Sequence, residues 1–149
     1  MAPGEQTEPA RVCLDADVVI AGLFARTGAS HAILVLGEVG LMHLVLPQAA
    51  VEEIRRNLQE KLPEALPHFD QFLRAVAVEV CRPTPADRKQ ARRLAHDKDV
   101  PIMAAALSSG ATILVTHNTR HFKSTERVRV IRPRKLLEDA RTWMARFGE

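Results

Sequence analysis

The chain has 149 residues, 46% of them hydrophobic and 26% charged, with a formal net charge of +3; that length fits a single domain and buries about two thirds of its unfolded surface. This ordinary balance excludes global disorder, collagen-like sequence and a membrane protein. With no Tyr, one Trp and five Phe, the chain is poorly equipped to read single strands by base stacking, so any nucleic-acid work must run through phosphates.

Residues 1–10 are rich in Pro, Gly and Glu and read as a flexible tail ahead of one domain over 11–149. They carry neither the basic nor the apolar region of a signal peptide, so a cytoplasmic location is expected. Residues 11–14 predict a first strand ending at Asp15, and residues 18–25 continue as one or two helical turns. Residues 29–40 predict a helix with Ser30 as cap and Ile33, Leu36 and Val39 at near-helical spacing. A second strand at 42–46 stops at Pro47; a helix over 48–61 carries Val51, Ile54 and Leu58 on one face, and another covers 63–75. Alternation at 76–81 predicts a third strand, closed by Pro83 and Pro85, and a helix over 86–95 opens at Thr84 or Pro85. Asp99 is expected to N-cap a helix over 100–109, with Pro101 in its first turn and Gly110 just past its end. Residues 111–116 and 128–131 predict the fourth and fifth strands, and Pro133 starts a terminal helix running to about Phe147. The uncharged run 100–119 is broken by Ser108-Ser109-Gly110 and is too interrupted to span a membrane.

Strands separated by helices pair in parallel through right-handed crossovers, and continuous apolar strands mark a sheet covered on both faces. The expected fold is therefore α/β, a three-layer α/β/α sandwich around a central parallel sheet of about five strands. In such sheets a site lies beyond the C-terminal strand ends, which singles out Asp15, Asp17, Glu53, Asp99, Thr116 and Asn118.

Each of these has a structural alternative. Asp15 and Asp17 sit inside an apolar stretch, where buried carboxylates are costly unless paired or metal-bound, yet Asp15 could simply cap a helix. Glu52-Glu53 could be a solvated face pairing with Arg55 or Arg56, Asp99 a helix cap, and Thr116-His117-Asn118 a turn. Taken together, hard oxygen donors at several strand ends suit Mg²⁺ or Mn²⁺.

Five passages in order carry a resemblance: Val12-Cys13-Leu14-Asp15-Ala16-Asp17-Val18; Glu52-Glu53-Ile54; Asp99-Val100-Pro101-Ile102-Met103-Ala104-Ala105-Ala106; Gly110 to Asn118; and Arg120-His121-Phe122. From about Arg11 to Pro133 the chain resembles the PIN domain family of metal-dependent ribonucleases, and most of all its bacterial and archaeal members, many of which are toxins of toxin–antitoxin pairs. The resemblance implies that Asp15, Glu53 and Asp99 hold one or two Mg²⁺ or Mn²⁺ for hydrolysis of an RNA phosphodiester. Thr116 matches the family's small hydroxyl residue, and Asn118 falls where many members have a fourth Asp. Asp17 falls where they commonly have Asn or Ser. The carboxylate count is thus kept, and Asp17 is expected to compensate for Asn118. A protein antitoxin and a homodimer or higher homo-oligomer are the partners implied, with RNA as substrate and no membrane.

The net charge hides an asymmetry. Residues 1–80 carry six Lys/Arg against eleven Asp/Glu, a net −5, and residues 81–149 carry fifteen against seven, a net +8. The basic surplus clusters at Arg120, Lys123, Arg127, Arg129, Arg132, Arg134 and Lys135. It reads either as protection of an exposed sheet edge or as a phosphate track with Arg120 and Lys123 nearest the site. Cys13 and Cys81 are far apart in apolar stretches, which disfavours a structural zinc site. His31, His43 and His68 read as surface or helix-end residues. His96 and His117 lie beside the acidic set as bystanders or supports, and Trp143, Met144 and Phe147 as packing or a dimer contact.

Two other functions compete. A PIN-like scaffold that binds RNA or protein without cutting draws on Asn118. A haloacid-dehalogenase-type phosphatase shares the Asp-x-Asp after a first strand, but Val18-Val19 stands where Gly-Thr is needed. No G-x-S-x-G, P-loop or dinucleotide fingerprint occurs.

Overall fold

A computed structural model describes residues 9–147, except for the side chains of the last two. Most of the expected tail, residues 1–8, and the side chain of Phe147 lie outside the described residues. The elements run β1 (Ala10–Leu14), α1 (Ala16–Phe24), α2 (Ala29–Glu38), β2 (Met42–Pro47), α3 (Gln48–Lys61), α4 (Leu66–Ala75), β3 (Glu79–Cys81), α5 (Pro85–Ala91), α6 (Val100–Ser108), β4 (Ile113–Val115), β5 (Arg129–Ile131) and α7 (Pro133–Phe147). Single 3₁₀ turns at Pro63–Ala65, Asp97–Asp99 and Thr119–His121 link them.

The five strands form one parallel sheet in the order β3-β2-β1-β4-β5. Val12, Cys13 and Leu14 on β1 are all fully buried. Successive strand residues point to opposite faces, so both faces of the central strand are covered, in line with the apolar runs. The core joins these residues to Leu44, Val45 and Leu46 of β2, Leu114 and Val115 of β4, and the apolar faces of the helices, including Ile33, Ile54, Phe69 and Met103. Cys13 belongs to it, and burial pushes its thiol well above its ordinary range. Both cysteines are free. No single helix among the described residues is long and apolar enough to cross a membrane.

The departures from expectation have local causes. The third strand is three residues, not six, because the chain before it is closing α4. Ala77 takes a left-handed φ of 53°, and the N–H groups of Val76, Ala77 and Val78 return to Phe72, Arg74 and Leu73 carbonyls. Those donors serve the helix end and are lost to the sheet. The fourth strand likewise starts late, since Ala111 donates back to Ala106 past Gly110 at φ 72°. The helix expected at 86–95 ends at Ala91, and Ala95 instead pairs antiparallel with Phe122. Ser30 is not a cap: Gly28 occupies that position, and the Ser30 hydroxyl turns toward His117 Nε2 at 3.4 Å. His43 lies on β2, where it and Arg11 hold Glu79 of β3.

Candidate functional site

The chain leaves β1 toward β2 on one side and later returns to β4 on the other. The order therefore reverses between β1 and β4, and the connections leaving their C-terminal ends run to opposite sides, which opens a crevice beyond those ends. Asp15 follows β1 and Thr116 follows β4, so both stand at that opening.

Asp15 is buried, 7% exposed. Its Oδ1 accepts the Ala16 N–H at 2.8 Å, capping α1, and its Oδ2 accepts the Thr116 hydroxyl at 2.8 Å. The two roles open to Asp15, helix cap and site residue, are thus served by different oxygens. Fully buried Thr116 accepts in turn the Asn118 N–H at 3.0 Å. The Asn118 amide then donates to Asp17 Oδ2 at 3.3 Å, and His117 Nδ1 approaches the same oxygen at 3.4 Å. His117 also faces Ser30 through Nε2, so it bridges α1 and α2. Asp17 Oδ1 is buried with no hydrogen-bond partner.

Asp99 precedes α6, but its side chain makes no cap bond, contrary to expectation. Its Oδ2 lies 3.1 Å from His121 Nδ1 instead, which leaves the carboxylate on the crevice side. The proximity is electrostatic as well. Burial first, then the Asp17 charge and, more weakly, Asp99 push the Asp15 carboxyl from 3.8 up to about 6. The bonds from Thr116 and Ala16 oppose that rise because they favour the ionised form.

The structure therefore brings Asp15, Asp17, Asp99, Thr116 and Asn118 together at one crevice. Glu53 stands apart from this network. It is exposed on α3, with no hydrogen bond or ion pair joining it to the set among the described residues. Arg120 and Lys123 stand exposed on and after the Thr119–His121 turn. The wider basic cluster is partly spent: Asp139 holds Arg129 at 3.2 Å and Lys135 at 3.1 Å, and Arg127 donates to the Leu107 carbonyl.

A divalent cation fits this donor set. Like-charged carboxylates crowd together, one buried oxygen lacks a partner, and hard oxygen ligands suit a hard cation. Sequence reasoning gives His96 only a bystander's place and misses His121 as a partner of Asp99. The two imidazole rings stack with centroids 4.4 Å apart. The Arg120-His121-Phe122 passage is the available signal, since buried Phe122 fixes the turn that presents His121.

The PIN domain family model matches residues 11–120. No curated protein matches the chain. Among solved structures, a chain in the crystal structure of VapBC2 from Rickettsia felis bound to a DNA fragment from their promoter superposes with a TM-score of 0.60 at 12% identity. The alignment covers 80% of this chain and 98% of that one. At such identity the likeness is one of fold, and it agrees with the sheet order and helix layers described above. With the family model covering most of its length, the chain belongs to the PIN domain family.

Proposed function

We propose that this protein is a metal-dependent endoribonuclease that hydrolyses RNA phosphodiester bonds at the β1/β4 crevice. The observation that carries the reading is the crowding of Asp15, Asp17 and Asp99, with Asp15 raised to about 6. Such an arrangement costs free energy until a cation neutralises it. Asp15 and Asp99 would hold Mg²⁺ or Mn²⁺, with Asp17 and Asn118 completing the set, and Glu53, which stands apart on α3, would join them on the strength of the family resemblance alone. When bound, the cation supplies activated water and charge stabilisation at the phosphate and leaving oxygen.

The chain's own residues prepare that chemistry. Thr116 and the Ala16 N–H fix both oxygens of Asp15, so its free lone pairs have one orientation. Asn118 carries no charge but locks Asp17 through its amide. Asp17 supplies the carboxylate that Asn118 lacks. Arg120 and Lys123 neutralise phosphates of the incoming strand. The family resemblance further supports a role as toxin of a toxin–antitoxin pair in the cytoplasm, acting with a protein antitoxin and as a homo-oligomer. A similarly folded chain occurs in the VapBC2 complex bound to promoter DNA.

The test is incubation of the full chain with defined RNAs, with and without Mn²⁺ or Mg²⁺. Cleavage is expected only with the metal. It should drop roughly 100-fold or more in Asp15→Asn and Asp99→Asn, since even outer-shell changes cost about 10–100-fold at metal sites. Asp17→Asn should weaken metal binding about tenfold. Undiminished cleavage in both Asp15→Asn and Asp99→Asn would overturn the assignment. The rival is a scaffold that binds RNA without cutting, favoured by the uncharged Asn118; RNA bound but left intact in the presence of either metal would select it.

A further inference from the structure

We propose that His96, Asp99 and His121 form a second cation site, for a borderline transition metal of the zinc class, joined to the acidic crevice through Asp99. Among the described residues this is the one group of three or more His, Cys, Asp or Glu side chains whose ligand atoms all lie within 4.8 Å of one another.

The donor chemistry separates it from the crevice. Carboxylate, amide and hydroxyl oxygens suit Mg²⁺ and Mn²⁺, whereas imidazole nitrogens suit zinc, nickel and copper. Two imidazoles and one carboxylate are the protein ligands of an open, four-coordinate zinc site that keeps a position for water. The distant cysteines disfavour a closed, thiolate-bound structural zinc, but this set contains no cysteine.

The frame is rigid where it matters. His96 donates its N–H to the His121 carbonyl at 2.9 Å, and Lys123 donates to Leu94 at 2.7 Å. Asp99 donates to the His96 carbonyl at 2.8 Å, and His121 to Asn118 at 3.0 Å. The bridge Ala95↔Phe122 closes the pair of segments. All three ligands thus stand on two short segments bolted together by main-chain bonds. The two rings stack 20° apart in plane, which brings their nitrogens near Asp99 but leaves the ring planes side by side, so one ring must turn out of the stack to share an ion. Zinc bonds of ~2.0–2.1 Å place tetrahedral ligands roughly 3.4 Å apart. Closure asks for at most about 1.4 Å of inward movement together with that turn, which the exposed His96 side chain makes by a χ rotation.

Asp99 also explains itself here. A residue at a helix N-cap position that gives no cap bond, and turns its oxygen to a histidine instead, has given up the local stabilisation a cap supplies.

The experiment titrates the full chain with Zn²⁺ by calorimetry, and with Co²⁺ by visible absorption as a spectroscopic probe, at pH 7.5 without RNA. Wild type is expected to take up Zn²⁺ and to give Co²⁺ bands of nitrogen-containing low coordination. His96→Ala and His121→Ala should each weaken binding about tenfold or more, while Asp15→Asn keeps it within about twofold. Because His96 is exposed, its removal leaves the fold intact, which circular dichroism checks. Absence of Zn²⁺ uptake, unchanged affinity in His96→Ala, or a loss in Asp15→Asn equal to that in the histidine variants would overturn the site. No RNA is present, so failure here and failure of the nuclease reading are separate results.

Discussion

Asp15 bears the largest electrostatic load of the described carboxylates. Its carboxyl sits at about 6 in the folded chain against 3.8 for a free Asp, chiefly through burial and secondly through Asp17. A raised acid holds its proton longer in the folded state than in the unfolded one. Stability from this group is therefore complete below about 4 and lost as pH rises to about 6, and the span corresponds to about 3 kcal/mol. Without divalent cations, Asp15→Asn is expected to be more stable than wild type by about 1–3 kcal/mol at pH 7.5, with the difference vanishing near pH 4. Denaturant unfolding at the two pH values measures it, and added Mn²⁺ should raise wild type more than the variant. Asp15 was legible in the sequence because an acid between apolar runs has few inexpensive explanations. Asp99 was legible as a position but not as a contact, since a cap and a histidine partner leave the same residue before a helix. His121 was visible only within a motif, because nothing in linear order shows that residues 96 and 121 stack.

At the scale of elements, the crevice depends on how closely α1 and α2 pack, since His117 touches both Asp17 of α1 and Ser30 of α2. Gly22 sets that approach. A Cβ there would lie 2.9 Å from the Ser30 carbonyl oxygen and 2.6 Å from Leu34 Cδ1. Leu34 can turn aside; a backbone oxygen inside a helix cannot without moving the helix. Gly22→Ala should lose about 1–3 kcal/mol by overpacking, read as a lowered unfolding midpoint. The strands were legible as apolar runs and the long helices by their periodicity. Their ends were not. At residues 76–78 the alternating pattern fits a strand, yet the same N–H groups finish α4, and hydrophobicity carries no record of which carbonyl a donor will take. The glycine at 22 left no signal either, because its meaning lies in a neighbouring helix.

Over the whole molecule, the divided charge takes on spatial sense. Asp15, Asp17 and Asp99 gather at one crevice, and the bases nearest in sequence with no ion pair among the described residues are Arg120 and Lys123, while Arg129 and Lys135 are tied to Asp139. RNA binding, measured with Asp99→Asn so that the strand stays intact, should weaken steeply with salt. Changing both Arg120 and Lys123 to Ala should reduce the slope by about two, one for each phosphate left without its cation. An unchanged slope would assign phosphate binding to other parts of the basic surplus. The parallel sheet, its covered faces and the position of Asp15 and Thr116 just past strand ends were readable from the order of elements alone. The neutralisation of β5 was not, since Asp139 comes from the helix that follows that strand.

The hydrogen bond between Thr116 and Asp15 spans 101 residues, and this orders events during synthesis. β1 emerges first and can pair at once with β2, but its other edge waits for β4. A ribosome that releases its product before residue 116 delivers a chain holding Asp15, Asp17, Glu53 and Asp99 with the opposite wall of the crevice missing. Translation that stops short of β4 therefore yields an incomplete crevice, and the wall that Thr116 supplies comes only once residue 116 is made.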